Sequence, residues 1–335
     1  MTYEFKNMNC DTNEFWHNFN KISREYKYID ALLNRSNINW WKEDYIRNNW
    51  LVEDKSFCLL SSKEPYFMFM GFLLIKGDIK KLYLLSRACF AIEARDLSTK
   101  KIKNINSEIN KLLNENKASF TINSVNENLS ISYLYEFLLK NELFKFENCF
   151  STQIQINKSE EKLWSDVRTS FKSLINWGLR ELAIDVYTSD NINSDIIESF
   201  RKLHFKEAGR ETRSRKSWKL QLEAVRENEA FVVTAKSSGE LVSAGYFIIN
   251  KVHCFYGSSA SKYKQFKKPL FHSLMWTAIL HCKKRDIIFF ETGEQYTKQQ
   301  IIENKIDSKL INIAKFKAGF GGGLINKSNL IRCDY

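Results

Sequence analysis

The sequence predicts a mixed α/β protein of two domains, each a mixed, largely antiparallel sheet flanked by helices. Three observations carry this. At 335 residues the chain exceeds the size at which one core keeps growing. Strand-like and amphipathic helical stretches alternate in both halves. The strand signals come early as hairpins and late as a strand, helix, strand unit, so the sheet needs both antiparallel and parallel pairs. Hydrophobic residues at 44%, aromatics at 14% and only two prolines exclude a disordered or linker-dominated chain.

In order along the chain, "DTNEFWHNFNKI" (11–22) reads as a helix, with Asp11 as N-cap and Glu14 in capping-box position. "SFCLLSS" (56–62) and "PYFMFMGFLLIKG" (65–77) read as two strands joined by a Pro-containing turn, and "KLYLLSRACFAIE" (81–93) as one or two more. "NINSEINKLLNEN" (104–116) is an amphipathic surface helix. "SFTINSV" and "ISYLYEFLLKNELF" follow as strand and helix, then "CFSTQIQI" (149–156) as a strand. "SEEKLWSDVRTSFKSLINWGL" (159–179) reads as one long helix. The domain boundary is placed just before this helix, near residues 151–158, giving domains 1–152 and 153–335. In the second domain, helix "INSDIIESFRKLHFKEAG" (192–209) ends at Gly209, and strands "AFVVTAKS", "LVSAGYFIIN" and "KVHCFYGSSA" follow, with a hairpin at "SSGE". The chain then reads as helix "KPLFHSLMWTAILHCKK" (268–284), strand "DIIFFETG" (286–293), helical "KQQIIENKI" (298–306) and a closing strand start at "KFKAGFGGG" (315–323).

The longest apolar run, "FMFMGFLLI" (67–75), is about half of the ~20 residues a membrane helix needs. The N-terminus has no secretion-signal pattern. A cytoplasmic protein with no membrane span is expected. The seven cysteines are scattered with no CxxC pair, which predicts buried reduced thiols and no metal site. A net charge of +12 suits an anionic partner; it also fits a chain simply rich in Lys, Asn and Ile, so where the charge gathers matters more than its total.

Several residues carry candidate chemistry. "GRETRSRKSW" holds Arg210, Arg213, Arg215 and Lys216. Arg forks suit phosphate or carboxylate, and an extended segment would put Arg213 and Arg215 on one face; the alternative is surface pairing with Glu207 and Glu211. Glu291 sits at the carboxyl end of a buried apolar strand, where α/β sites open, and Gly293 turns the chain so that Glu291 and Glu294 lie near the mouth. His272 and Trp276, four apart on one helix, line a pocket or a core edge. His17, His204, His253 and His281 have no nucleophile in an elbow motif, and neither GxSxG, GxxxxGKS nor GxGxxG occurs.

The ordered set "EKLWSDVRTSFKSLI", "RKLHFKEAGRETRSRKSW", "CFYGSSA", "KPLFHSLMWTAI", "FFETGE" and "FKAGFGG" resembles the Fem-type aminoacyl and peptidyl transferases, within the acetyltransferase-like (GNAT-like) superfamily. The resemblance covers roughly 150–325. It implies two GNAT-like domains and transfer of an acyl or aminoacyl group to an amine on a nucleotide- or lipid-linked sugar or cell-envelope glycan precursor. It implies no tightly bound cofactor, only an activated acyl donor, acyl-CoA or aminoacyl-tRNA, as co-substrate. Acetyl-CoA enzymes of this fold cradle pyrophosphate on a Gly-rich turn. Here "SASKYKQFKKPLFHSL" offers no glycine but Lys262, Lys264, Lys267 and Lys268, the expected donor phosphate ligands. Glu291 is the expected proton acceptor, and a strand-edge N–H near Tyr256 the oxyanion donor. Arg210, Arg213, Glu294, His272, Trp276 and Lys317 are expected to face substrate, Lys317 meeting an anionic group of the acceptor. No heptad run long enough for a helical-hairpin arm follows Trp164. The alternative reading is a catalytically degenerate binding or scaffold subunit of a polysaccharide-biosynthesis system.

Overall fold

The architecture is taken from a computed structural model, which describes residues 3–85, 88–116, 119–123, 133–140, 144–262, 266 and 269–332. Two compact units result. One comprises residues 1–29, 38–149 and 326–335; the other, 30–37 and 150–325. The main changeover falls at 149/150. Short segments are exchanged across that division of the sequence: Asp30–Asn37 folds with the later unit and Asn326–Tyr335 with the earlier one.

The first unit contains β1 (Tyr3–Asn7), α1 (Asn13–Ser23), most of α2 (Arg35–Arg47), β2 (Leu51–Asp54), β3 (Phe57–Ser61), β4 (Glu64–Met70), β5 (Phe72–Lys76), β6 (Ile79–Tyr83), β7 (Phe90–Glu93), α3 (Thr99–Asn116), β8 (Ser119–Asn123) and α4 (Tyr133–Leu139). Thr12, not Asp11, caps α1. Strands β1-β3-β4-β7 form one sheet. The β3–β4 turn is made by Ser62 and Lys63, both at positive φ, and Pro65 lies inside β4 instead of in the turn. "PYFMFMGFLLIKG" is two strands, since Gly71 separates β4 from β5, which pairs with β2 and β6 in other strand ladders. The core of this unit is rich in phenylalanine: Phe57, Phe67, Phe69 and Phe120 pack on one another and on Ile105 and Ile109 of α3.

The second unit begins within β9 (Phe144–Gln155). It continues through α5 (Glu160–Asp166), α6 (Thr169–Glu181), β10 (Ala183–Tyr187), α7 (Ser194–Ala208), α8 (Arg215–Arg226), β11 (Ala230–Ser237), β12 (Glu240–Ile249), β13 (His253–Ser261), α9 (Phe271–Lys284), β14 (Phe289–Gln295), α10 (Lys298–Glu303) and α11 (Ser308–Lys317), to the start of β15 (Gly323–Arg332). Its strand order is β10-β11-β12-β13-β14-β9, antiparallel except for β13–β14. The period-2 side-chain rule sorts the strands into two faces. Phe231, Val233, Phe247, Cys254 and Phe290 join α6 and α9 in one core, while Val232, Ala244, Tyr246 and Ile248 join α7 and α8 in another. Gly178 lets α6 approach α9, where Ser273 would collide with any added Cβ.

Three sequence expectations change here. The helix expected over 159–179 is broken, because Val167 takes an extended conformation and is buried; the break frees the Arg168 N–H to bond the Gly319 carbonyl at 2.9 Å. The Arg-rich loop is extended only to Ser214, whose hydroxyl caps α8, so Arg215 is helical and does not share a strand face with Arg213. Finally, Phe316 and Lys317 end α11, and a 3-10 turn, Ala318–Phe320, follows before β15. The glycines serve close approach there, since a Cβ on Gly319 would lie 2.1 Å from the Phe171 ring.

Candidate active site

The site begins with a parting of strands. β13 and β14 pair in parallel at His253↔Phe289, Cys254↔Phe290 and Phe255↔Glu291, and no further pair between them follows among the described residues. β13 stays with β12, across a register shift opposite Tyr246/Phe247. β14 stays with β9, across a second shift between Glu291 and Gly293. Such irregularities bend strands apart and re-aim side chains. Tyr256 is the first residue of β13 past the last pair with β14.

On the α7/α8 face, Glu291 follows core residue Phe290 and so points the other way. It is only 2% exposed and is bonded on both oxygens. Ser151 Oγ donates to Oε1 at 2.6 Å, and Oε2 lies 3.2 Å from Nε2 of the fully buried His253. The Ala31 N–H donates to His253 Nδ1 at 2.9 Å, which fixes the neutral ring's own proton on Nε2, aimed at Glu291. Asp30 Oδ1 stands 3.5 Å from Nδ1 and accepts the Leu32 N–H at 2.9 Å. Burial opposes protonation of His253, but the carboxylates of Asp30 and Glu291 outweigh it and raise the pKa above the ordinary histidine value. Taking up a second proton means exchanging the Ala31 bond for Asp30. The three residues hold ligand-type atoms within 4.8 Å of one another. Because the carboxylates address opposite nitrogens of one ring, the arrangement reads as a hydrogen-bonded relay and not as a single coordination centre.

On the α6/α9 face the site is aromatic and cationic, with Arg168 4.8 Å from the centre of the Phe171 ring and Lys317 beside Gly293. Lys317, at the end of α11, lays its ammonium against Gly293. With φ of +104° at Gly293, a Cβ there would stand 2.6 Å from Nζ, so only glycine leaves the space. The same Nζ lies 5.9 Å from the centre of the Tyr256 ring. Burial lowers the Lys317 pKa, while Glu294 and Glu291 pull it back up. His272 is buried among Phe171, Phe316 and Phe320, its ring edge-on to Phe171 at 4.3 Å. Burial lowers its pKa to about 4 against an upward pull from the Pro269 carbonyl, with Arg168 adding a smaller downward push, and neither ring nitrogen makes a well-formed hydrogen bond among the described residues. Trp276 packs edge-on against Trp164 at 5.1 Å. This pair is therefore core, with His272 at the edge nearest Lys317.

The remaining expected residues divide. Glu291 lies behind the mouth, not at it, because its strand register sends the carboxylate into the relay; exposed Glu294 stands outside and accepts the Tyr296 hydroxyl at 3.0 Å. Arg210 is exposed. Arg213 folds back, bonding His204 at 2.7 Å and lying 5.6 Å from the Trp218 ring centre. Lys262 is turned onto Glu240, with which it pairs while only 4% exposed. Lys264, Lys267 and Lys268 lie outside the described residues. The sequence reading passed over His253, Ser151 and Asp30. The signal for His253 was present, a polar ring between Val252 and the apolar pair Cys254 and Phe255 at the start of a strand. Nothing local marks Asp30.

No protein-family model matches the sequence, and no curated protein does. Solved structures do match along the whole length. FemX aligns with a TM-score of 0.68 at 12% identity over 98% of this chain and 97% of its own. The fold is that of the Fem-type transferases. L-PGS from Bacillus licheniformis has a TM-score of 0.61 at 10% identity, covering 97% and 93%. A tandem GNAT protein from the clavulanic acid biosynthesis pathway has a TM-score of 0.54 at 9% identity, covering 98% of both chains. The tandem GNAT-like architecture expected from the sequence is thus present; at these identities the likeness speaks for the fold alone. Among the described residues, no helix is long and apolar enough to cross a membrane.

Proposed function

We propose that this chain is an N-acyltransferase that moves an acyl or aminoacyl group from an activated donor to an amine, on a nucleotide- or lipid-linked sugar or a cell-envelope glycan precursor. The observation that carries this reading is the parting of β13 and β14, with a desolvated ammonium on one face and a tethered carboxylate on the other. The amine nitrogen attacks the donor's acyl carbon, the thioester or ester bond breaks, and no enzyme nucleophile is needed. Lys317 supplies positive charge where the oxyanion develops or where an anionic group of the acceptor must be held. The amine's proton passes through water toward Glu291, which is buried behind the mouth, and His253 with Asp30 spreads the charge of that step. We take the N–H of Tyr256, just past the last β13–β14 pair, as a second oxyanion donor. Loss of Lys262 to Glu240 weakens the case for a CoA phosphate cradle before α9 and leaves an RNA-linked donor open.

The test is mass spectrometry of amine-bearing glycan intermediates incubated with donor and protein. Parent protein adds the acyl mass, and Lys317→Ala and Glu291→Gln lose most of it while folding normally. Variants that fold and retain full transfer contradict the site assignment. If neither acyl-CoA nor aminoacyl-tRNA raises the melting temperature of the parent, the binding-subunit reading takes its place.

A further inference from the structure

We infer that the α10–α11 pair is a docking surface for an anionic lipid bilayer. Of the side chains in these two helices only Ala314 is buried. Ile302 is 76% exposed, and Leu310 and Ile313, one turn apart on α11, are 43% and 39% exposed. Large aliphatic side chains left in water on short helices ask for an apolar cover. The surrounding charge says which kind. Residues 298–315 carry four lysines against Glu303 and Asp307, and both acids are already engaged, Glu303 with Gln299 and Asp307 as the cap of α11. Lys309 and Lys315 are exposed on α11 itself.

Exposed aliphatic residues with lysines on the same short segment match the acyl and headgroup layers of a bilayer containing acidic lipid. A second copy of the chain is disfavoured, because a self-complementary contact would bring the same lysines together. Nucleic acid is disfavoured as well, since Ile and Leu give bases no stacking surface. The α11 helix ends at Phe316 and Lys317, so the surface runs directly into the candidate site. The bilayer contact stands apart from the transfer reading; only the corollary, that the acceptor amine is carried on a lipid, rests on it.

The experiment is co-sedimentation of the whole chain with phosphatidylcholine vesicles, with and without phosphatidylglycerol. The parent partitions onto vesicles with phosphatidylglycerol and hardly onto those without, and added salt weakens it. The double variant Lys309→Glu/Lys315→Glu lowers the partition by about thirtyfold or more, as expected for removing two lysines near an acidic surface and putting two acids in their place. Ile302→Glu/Ile313→Glu abolishes binding while keeping the parent melting temperature, since neither residue is buried. Glu291→Gln binds as the parent does, which separates this proposal from the catalytic one. Failure of the parent to sediment, equal binding to both vesicle types, or unchanged binding by the isoleucine variant overturns the inference. So does a parent dimer in sedimentation velocity that the isoleucine variant dissolves.

Discussion

The two faces of the β13–β14 pair handle buried polarity in opposite ways. On the α7/α8 face every polar atom of Glu291 has a partner, and His253 is held on both ring nitrogens although it is fully buried. On the α6/α9 face His272 sits in an aromatic box without a well-formed hydrogen bond, and Lys317 is half-buried with carboxylates as its main electrostatic support. Buried polar groups are ordinarily satisfied. The difference teaches that Glu291 and His253 hold each other in place, whereas His272 and Lys317 keep unspent binding capacity. Under the proposed transfer reading, ligand contact falls to the α6/α9 face and charge support to the other.

The sharpest way to break this comparison is at Lys317. Lys317→Ala should lower transfer by about 100-fold or more, the usual scale for one transition-state donor, with little change in melting temperature. A large stability loss with proportionate activity loss would instead make Lys317 a support residue. His253→Leu should behave in the reverse sense. Leaving Asp30 and Glu291 without the ring between them should cost about 3–5 kcal/mol in denaturant unfolding. A cost near zero would mean the relay contributes nothing to the fold.

How much of this could be read from the chain depends on range. Helix and strand identities followed local pattern, and Gly209, at φ of +68°, does end α7 as its position suggested. Glu291 was legible because an apolar strand ending in a carboxylate is a local signal. The relay was not: Ala31 and His253 are 222 residues apart, and no pattern near Asp30 announces that its segment folds with the second unit. Lys262 misled for a related reason. A lysine before a helix resembles an anion ligand, and only the strand register reveals that it points to Glu240. The break at Val167 likewise reflects a tertiary bond from Arg168 to Gly319 that helix propensity cannot anticipate.

Smaller effects sharpen the comparison. Gly293→Ala places a Cβ against the ammonium at a φ that L-residues rarely adopt, and should cost about 1–3 kcal/mol in strain while displacing Lys317. Transfer should fall more than stability; the two are read from kcat/KM and Tm on one preparation. His272 gives the least, and its sign is fixed. Its folded pKa is about 4, whereas the unfolded value is about 6.5. Between these values the unfolded chain binds more protons, so stability is lost as pH falls from about 6.5 to about 4, on the order of 3 kcal/mol near the lower end. His272→Leu should flatten that part of the acid limb. An unchanged pH profile would show that the ring already finds a partner when charged.

The most direct measurement is the kcat/KM of amine acylation for the parent, Lys317→Ala and Glu291→Gln, each confirmed to unfold cooperatively near the parent temperature. The account predicts an acyl-mass gain on the acceptor with the parent and losses of about 100-fold or more with Lys317→Ala, with Glu291→Gln also impaired. Parent-level turnover by both folded variants would contradict it.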